Sequence, residues 1–193
     1  MKEIDRRTAL KICGAFAAGV VTGSISPDIS IRINKQVGTV TGLPVGNAGI
    51  LRQVEEACKD YPDQDNCIQN IQLSPVSKVL GVSLNPFAEE VAFRATPSIV
   101  LSVVEGNTDQ LGADILCGLN DGYGLSRREF ITGAISSLLF GTSHNITNNG
   151  IDLKTIPASQ TVCGFAYWYL QRKFGLVSNT IAHALHNFNV IYR

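Results

Sequence analysis

The chain has 193 residues, a length typical of one domain, and its 16 basic and 16 acidic side chains give a net charge of zero. A nucleic-acid binder that works by bulk charge carries a basic excess, so this composition argues against that class. Charged residues make up 17% of the sequence, below the roughly 25% of a typical soluble domain. Hydrophobic residues make up 45% and mean hydropathy is +0.13, which fits neither a disordered chain nor a plain polytopic membrane protein.

The N-terminus combines basic residues with a short apolar run over residues 12–21. Arg6 and Arg7 precede the run, as in a signal peptide or a twin-arginine leader. No small-residue cleavage site follows, and a run of about ten residues is too short to cross a bilayer unaided. We therefore predict a signal-like or anchor helix over residues 1–25, with an ordinary first helix as the alternative.

Residues 26–76 are polar and rich in turn residues, which predicts a less regular N-terminal region. A β-branched run at 29–33 predicts a strand, residues 50–59 predict a helix, and residues 60–65 predict a loop. The region also contains Cys58 and Cys67, which either pair or remain free thiols.

From residue 77 onward the pattern becomes helical, with glycine and asparagine turn signals between the segments. Ser126 and Glu129 have the spacing of a capping box at a helix start. Gly175 predicts a break in the last helix. The predicted fold is mainly α, a membrane-type multi-helix bundle with a less regular polar N-terminal third. The predicted helices cover residues 87–104, 110–119, 127–144 and 158–192.

Two adjacent carboxylates, Glu89 and Glu90, stand inside the first of these helices among apolar residues. Glu90 and Arg94 are one turn apart, in the order that favours an ion pair. Glu89 lies about 100° round the helix from Glu90, so the arginine can hold one carboxylate while the other faces a cavity. This division provides one structural and one reactive carboxylate. A solvated helix start with a surface ion pair is the competing interpretation.

All three histidines lie in two later helices. Phe140 and His144 are one turn apart at the end of an apolar run, where a hydrogen-bonded core histidine is the competing interpretation. His183 and Asn187 share a face of the last helix, with His186 beside them. Buried polar groups need partners, so we expect these side chains to converge on each other, a water, a metal or a substrate. The set suits amide hydrolysis by a water that a carboxylate deprotonates, with imidazole and amide groups stabilising the oxyanion.

The motifs EExxxR, FxxxH and HxxxN follow one another in the order found in one enzyme family. The sequence resembles the CAAX-protease and bacteriocin-processing family of intramembrane endopeptidases, and the likeness covers about residues 77–193. The resemblance implies a helical membrane fold with the site inside the bilayer region. It also implies peptide-bond hydrolysis, which in eukaryotic members follows a prenylated cysteine. Many bacterial members act on unknown substrates or serve in bacteriocin self-immunity.

The resemblance also implies a role for each motif residue. Glu89 would be the base that activates water, and Glu90 with Arg94 would form the supporting pair. The glycine that usually follows the motif arginine is Ala95 here. His144 and His183 would hold the water and stabilise the transition state. Asn187 would donate a hydrogen bond to the oxyanion, and Phe140 would pack beside the site.

Two other functions stay open at this point. A zinc-dependent hydrolase would use His144, His183, His186 and Glu89 as metal ligands, whereas the glutamate mechanism needs no cofactor. A non-catalytic scaffold or immunity partner would bind peptides without cutting them. Each alternative has a protein or peptide as its partner and none involves nucleic acid. The predicted location is a membrane, with an exported or soluble protein as the alternative.

Overall fold

The computed structural model describes residues 6–47, 58–59, 75–106, 115–116, 118, 124–147, 150–152 and 154–192. As predicted, the protein is mainly α-helical over these residues. Helix α1 spans Arg6–Thr41, and α2 (Pro75–Val82) leads to α3 (Leu84–Glu90). A π-helical turn at Val91–Ala95 joins α3 to α4 (Thr96–Val104). Helix α5 spans Arg127–Ser143, β1 (Ile146–Thr147) pairs antiparallel with β2 (Gly150–Ile151), and α6 spans Ala158–Tyr192.

Helix α1 shows that the predicted strand at residues 29–33 is wrong. All 36 residues of α1 are helical, although Pro27 lies inside it. The β-branched residues favour a strand locally, but tertiary packing overrides this preference, since α1 makes its most extensive contacts with α6. The helix also passes the boundary that we placed between residues 25 and 26. The division into three regions stays a prediction.

Several predictions fall mostly or wholly outside the described residues. These are the helices at 50–59 and 110–119 and the loop at 60–65. Cys58 is buried and engaged in a disulfide. Its proposed partner Cys67 lies outside the described residues, so the pairing of these two cysteines stays a prediction.

Two glycines bring α1 into close contact with the C-terminal part of α6. A Cβ atom at Gly19 would lie 2.5 Å from the carbonyl oxygen of Ser178, and one at Gly23 would lie 2.6 Å from that of Ala182. Glycines spaced four apart allow helix backbones to approach this closely. Helix α1 is thereby held against the segment of α6 that carries the last motif.

The predicted start of α5 is confirmed by a complete capping box. Ser126 Oγ accepts a hydrogen bond from the Glu129 backbone N–H at 3.2 Å, and Glu129 Oε2 accepts one from the Ser126 N–H at 2.7 Å. Glu129 Oε1 also lies 2.7 Å from Arg172 Nη2 on α6. Burial acts to raise the pKa of Glu129, but the hydrogen bonds from Ser126 and Arg172 outweigh it and lower that pKa.

The predicted break in the last helix is also confirmed. Gly175 has φ 80° and ψ 178°, a backbone conformation that side-chain-bearing residues rarely adopt. The kink divides α6 into residues 158–174, which contact α5 through Thr161, Phe165 and Trp168, and residues 176–192, which carry the final motif. Among the helices that the structure describes, none combines the length and the hydropathy needed to cross a membrane.

Substitution of Gly23 tests the close packing of α1. In Gly23→Val the added Cβ would meet the Ala182 carbonyl oxygen and lie 2.7 Å from Leu185 Cβ. We expect the free energy of unfolding to fall by about 1–3 kcal/mol in urea titrations followed by circular dichroism. Gly14→Ala is the matched control, because nothing lies within 4 Å of its added Cβ. This control should gain about 0.5–1 kcal/mol, and equal stability of the two variants would contradict the packing.

Candidate active site

The carboxylate of Glu90 is fully buried and surrounded by polar side chains from two segments. Its Oε1 accepts a hydrogen bond from His183 Nδ1 at 2.8 Å, and its Oε2 accepts one from Asn179 Nδ2. Arg94 Nε lies 3.7 Å from Oε2, and both side chains of this pair are 0% exposed. The spacing of Glu90 and Arg94 thus produces a buried pair and not the surface pair of the competing interpretation. A carboxylate removed from water needs such partners.

Glu89 has a different environment from its neighbour. Its side chain is 34% exposed, and its Oε2 lies 3.5 Å from His183 Nε2. The imidazole of His183 therefore lies between two carboxylates, with Nδ1 toward Glu90 and Nε2 toward Glu89. One carboxylate is sequestered and the other keeps access to solvent.

Aromatic rings fix the orientation of His183 from two sides. Tyr167 stacks on the imidazole with ring centroids 5.1 Å apart and an angle of 27° between the planes. Phe140 presents its ring edge-on at 5.8 Å. Tyr167 is 1% exposed and lies on the other side of the Gly175 kink from His183. Helical periodicity does not carry across a kink, so the position of Tyr167 beside His183 could not be predicted from spacing.

The Phe140 ring also contacts one residue of the first motif and one of its own motif. The Arg94 guanidinium carbon lies 4.3 Å from the centre of the Phe140 ring, a cation–π contact, and the His144 ring lies 4.6 Å from the ring on an edge. Burial lowers the pKa of Arg94, and the Glu90 carboxylate opposes that shift. His144 Nδ1 is 2.8 Å from the Phe140 carbonyl oxygen. A carbonyl only accepts, so Nδ1 carries a proton, and Nε2 is the ring nitrogen left to meet a ligand.

A cavity of about 410 Å³ brings the histidines of the last two motifs together. His144, His183, His186 and Asn187 all line it, together with residues of α1. Asn187 Nδ2 donates one hydrogen bond to the Gly81 carbonyl at 2.8 Å, and an amide group has a second N–H to donate. Glu89 does not line this cavity and contacts the site next to His183 Nε2. We expected its carboxylate to face the cavity directly.

His186, one of the four ligands of the zinc alternative, contacts α1. Its Nδ1 lies 2.7 Å from Ser26 Oγ on α1. Burial, and the nearby His183, lower the pKa of His186 to about 4. In the part of the chain that the structure describes, no three His, Cys, Asp or Glu side chains are arranged to hold a metal ion. The zinc alternative stays a prediction, without a supporting geometry in these residues.

Two further residues of the site carried no motif signal. Asn179 donates to Glu90, and Ser26 contacts His186. Asn179 lies one turn before His183 and two turns before Asn187, so a search for polar residues at a spacing of four would have found it. Ser26 was not predicted as a site residue, because we expected irregular structure after residue 25.

Removal of the buried cation tests how the site is held together. Arg94→Met keeps much of the side-chain volume but leaves the Glu90 carboxylate buried without its charge partner, so we expect a loss of about 3–5 kcal/mol in unfolding free energy. The double variant Glu90→Gln/Arg94→Met should lose less than the sum of the single variants. Arg127→Met, at an exposed position of α5, is the control and should stay within about 0.5 kcal/mol of wild type. Equal urea midpoints for the Arg94 and Arg127 variants would contradict a buried ion pair.

Comparison with known proteins gives one family. The model of a family described as type II CAAX prenyl endopeptidase Rce1-like matches residues 72–189, which is more than half of the chain and includes all three motifs. The match confirms the resemblance seen in the motifs and indicates a hydrolase that acts on a protein or peptide. Comparisons with curated proteins and with solved structures found no match. Helix α1 lies before the matched segment.

Proposed function

The chain belongs to the Rce1-like family of CAAX-type endopeptidases, and we propose that it hydrolyses peptide bonds of a membrane-associated protein or peptide with a water activated by Glu89. The observation that carries the proposal is the His183 imidazole between a buried carboxylate and an accessible one. A site with two carboxylates in unlike environments can keep one for structure and use the other as a base.

The proposed reaction begins with water held at Glu89 and at His144 Nε2. Glu89 takes a proton from the water as its oxygen attacks the carbonyl carbon, and the carbonyl electron pair moves to oxygen. His183 and the second N–H of Asn187 stabilise this oxyanion. The oxyanion electron pair then re-forms the carbonyl bond, and Glu89 returns the proton to the leaving amine as the C–N bond breaks.

Glu90 is unsuited to the role of base. Its oxygens are engaged by His183, Asn179 and Arg94, and its side chain is 0% exposed. Water has no access to such a group, so proton abstraction there would require the buried network to open. Glu90 instead holds His183 in place, and the reactive role falls to Glu89, whose side chain is 34% exposed.

Cleavage assays with a panel of internally quenched peptides test the proposal. The panel includes a peptide ending in a farnesylated CAAX sequence and the same peptide without the lipid. We expect Glu89→Gln to reduce the cleavage rate by at least about 100-fold, because general base catalysis contributes this much or more. Glu105→Gln is the matched control, because it removes a carboxylate at the end of α4, in the same run of helix, and should keep the wild-type rate.

Two results of this assay would contradict the proposal. One is equal cleavage by wild type and Glu89→Gln, and the other is a wild type that cleaves no member of the panel. Binding of a peptide that the wild type does not cleave would favour the non-catalytic scaffold.

The distribution of side chains supports a membrane location. Helix α5 buries serine and glycine, including Ser136 at 3% and Ser137 at 1% exposure, and turns apolar residues outward. Soluble domains show the opposite distribution, whereas an apolar outer face suits contact with lipid. Helix α4 is similar, with Val100, Val103 and Val104 each more than half exposed. The outward residues of α5 are Ile131, Ile135, Leu138 and Leu139, which are 47–58% exposed.

Fractionation of cells that express the protein tests this location. We expect the protein in the membrane pellet, where the outward faces of α4 and α5 are covered by lipid. A double variant with Ile135→Glu and Leu139→Glu should shift toward the soluble fraction, because charge on a lipid-facing surface is costly. Recovery of the wild-type protein in the soluble fraction would contradict the membrane proposal. Carbonate treatment of the pellet then separates integral from peripheral association.

A further inference from the structure

One wall of the cavity comes from α1, a helix that lies outside the segment matched by the family. Pro27, Ser30, Ile31 and Asn34 of α1 line the cavity opposite the histidines of α5 and α6. The close approach at Gly19 and Gly23 holds α1 in this position. The substrate space of this protein is therefore shaped in part by residues that the family motifs do not include.

Polar contacts join α1 to α6 beside the cavity and follow the helical repeat of α1. Ser26 Oγ lies 2.7 Å from His186 Nδ1, and Ser30 Oγ lies 3.2 Å from Cys163 Sγ. One turn further on, Asn34 Oδ1 accepts a hydrogen bond from the Ser159 backbone N–H at 3.3 Å. Positions 26, 30 and 34 are each four apart, so they share one face of α1.

Ser26 is well placed to hold His186 because of the proline that follows it. Pro27 has no backbone N–H, so the Gly23 carbonyl lacks the helical donor that position 27 would otherwise supply. Ser26 Oγ lies 3.4 Å from that carbonyl oxygen and is 5% exposed. The hydroxyl thus lies between the Gly23 carbonyl and the His186 ring in a buried location.

His186 presents a neutral polar group to the cavity. With Nδ1 engaged by Ser26, Nε2 is the ring nitrogen left for a ligand, and it has no hydrogen bond to any of the described residues. The low pKa of about 4 keeps the ring uncharged at neutral pH. An uncharged imidazole suits a hydrogen bond with a peptide amide or carbonyl more than an ion pair.

We propose that His186, positioned by Ser26, is a substrate-binding residue that hydrogen-bonds the backbone of a peptide lying in the cavity between α1 and α6. The inference rests on the proposed endopeptidase function and adds a binding role to a histidine outside the EExxxR, FxxxH and HxxxN positions. His186 binds the ground state and the transition state alike, so it acts on KM and leaves kcat to Glu89, His144, His183 and Asn187. Ser26 is the positioning residue and acts through His186.

Steady-state kinetics on the panel peptide that the wild type cleaves fastest test this role. His186→Phe and Ser26→Ala should each raise KM roughly 2- to 10-fold, the effect of losing one hydrogen bond, with kcat within about twofold of wild type. Ser24→Ala is the matched control on the same helix, because Ser24 is exposed and its hydroxyl bonds to the Val20 carbonyl of its own helix. The control should leave both constants unchanged.

The outcomes separate this inference from the proposed function. If Glu89→Gln abolishes cleavage but His186→Phe and Ser26→Ala leave KM unchanged, or lower kcat with KM unchanged, the binding role of His186 is wrong and the function stands. If the wild type cleaves no peptide, the function fails and the binding role fails with it. Circular dichroism checks that each variant is folded, and Ser26→Ala decides the question if His186→Phe does not fold.

Discussion

The buried carboxylate of Glu90 is the group on which the rest of the site depends. It binds Asn179 and His183 of α6 and pairs with Arg94 of the π-helical turn. Burial of a charge is costly unless it is paired and hydrogen-bonded, so the segments that supply these partners must meet around it. The same contacts that satisfy Glu90 set the direction of the His183 ring.

The helix geometry at Glu90 separates two carboxylates that are adjacent in sequence. The π-helical turn begins at Val91, directly after Glu90, and places Arg94 against both Glu90 and the Phe140 ring. Such turns are rare and often occur at functional sites. Glu89 stays at the edge of the bundle, next to His183 Nε2. The rotation of about 100° between adjacent helical residues thus places Glu90 inside the bundle and Glu89 at its edge.

The sequence was most informative where local rules decide the structure. The capping residues at Ser126 and Glu129 and the positive φ of Gly175 act within one turn of helix, and both were predicted correctly. The pairing of Glu90 with Arg94 is also local, one turn apart. The second half of α1 was not predicted, because its β-branched stretch favours a strand locally, and the contacts of α1 with α6 join residues more than 100 positions apart in the chain.

Prediction of the site from the sequence has the same limit. The motif histidines were found by their spacing, but their partners Tyr167 and Ser26 lie across a kink and on another helix. Contacts between segments distant in the chain leave no periodic signal in a single sequence. The serine and glycine buried in α5, with leucine and isoleucine outside, contribute to a composition low in charge yet modest in hydropathy.

The state of the His183 ring tests the central claim most directly. Protein with ¹⁵N-labelled histidine, assigned with a His183→Gln variant, reports by NMR which ring nitrogen carries the proton and whether that proton is strongly hydrogen-bonded. We predict a proton on Nδ1 of His183, shifted downfield by the Glu90 carboxylate, in wild type and in Glu89→Gln, and its loss or upfield movement in Glu90→Gln. A signal that survives Glu90→Gln unchanged, or one that Glu89→Gln removes, would contradict the assignment of Glu90 as the group that holds His183.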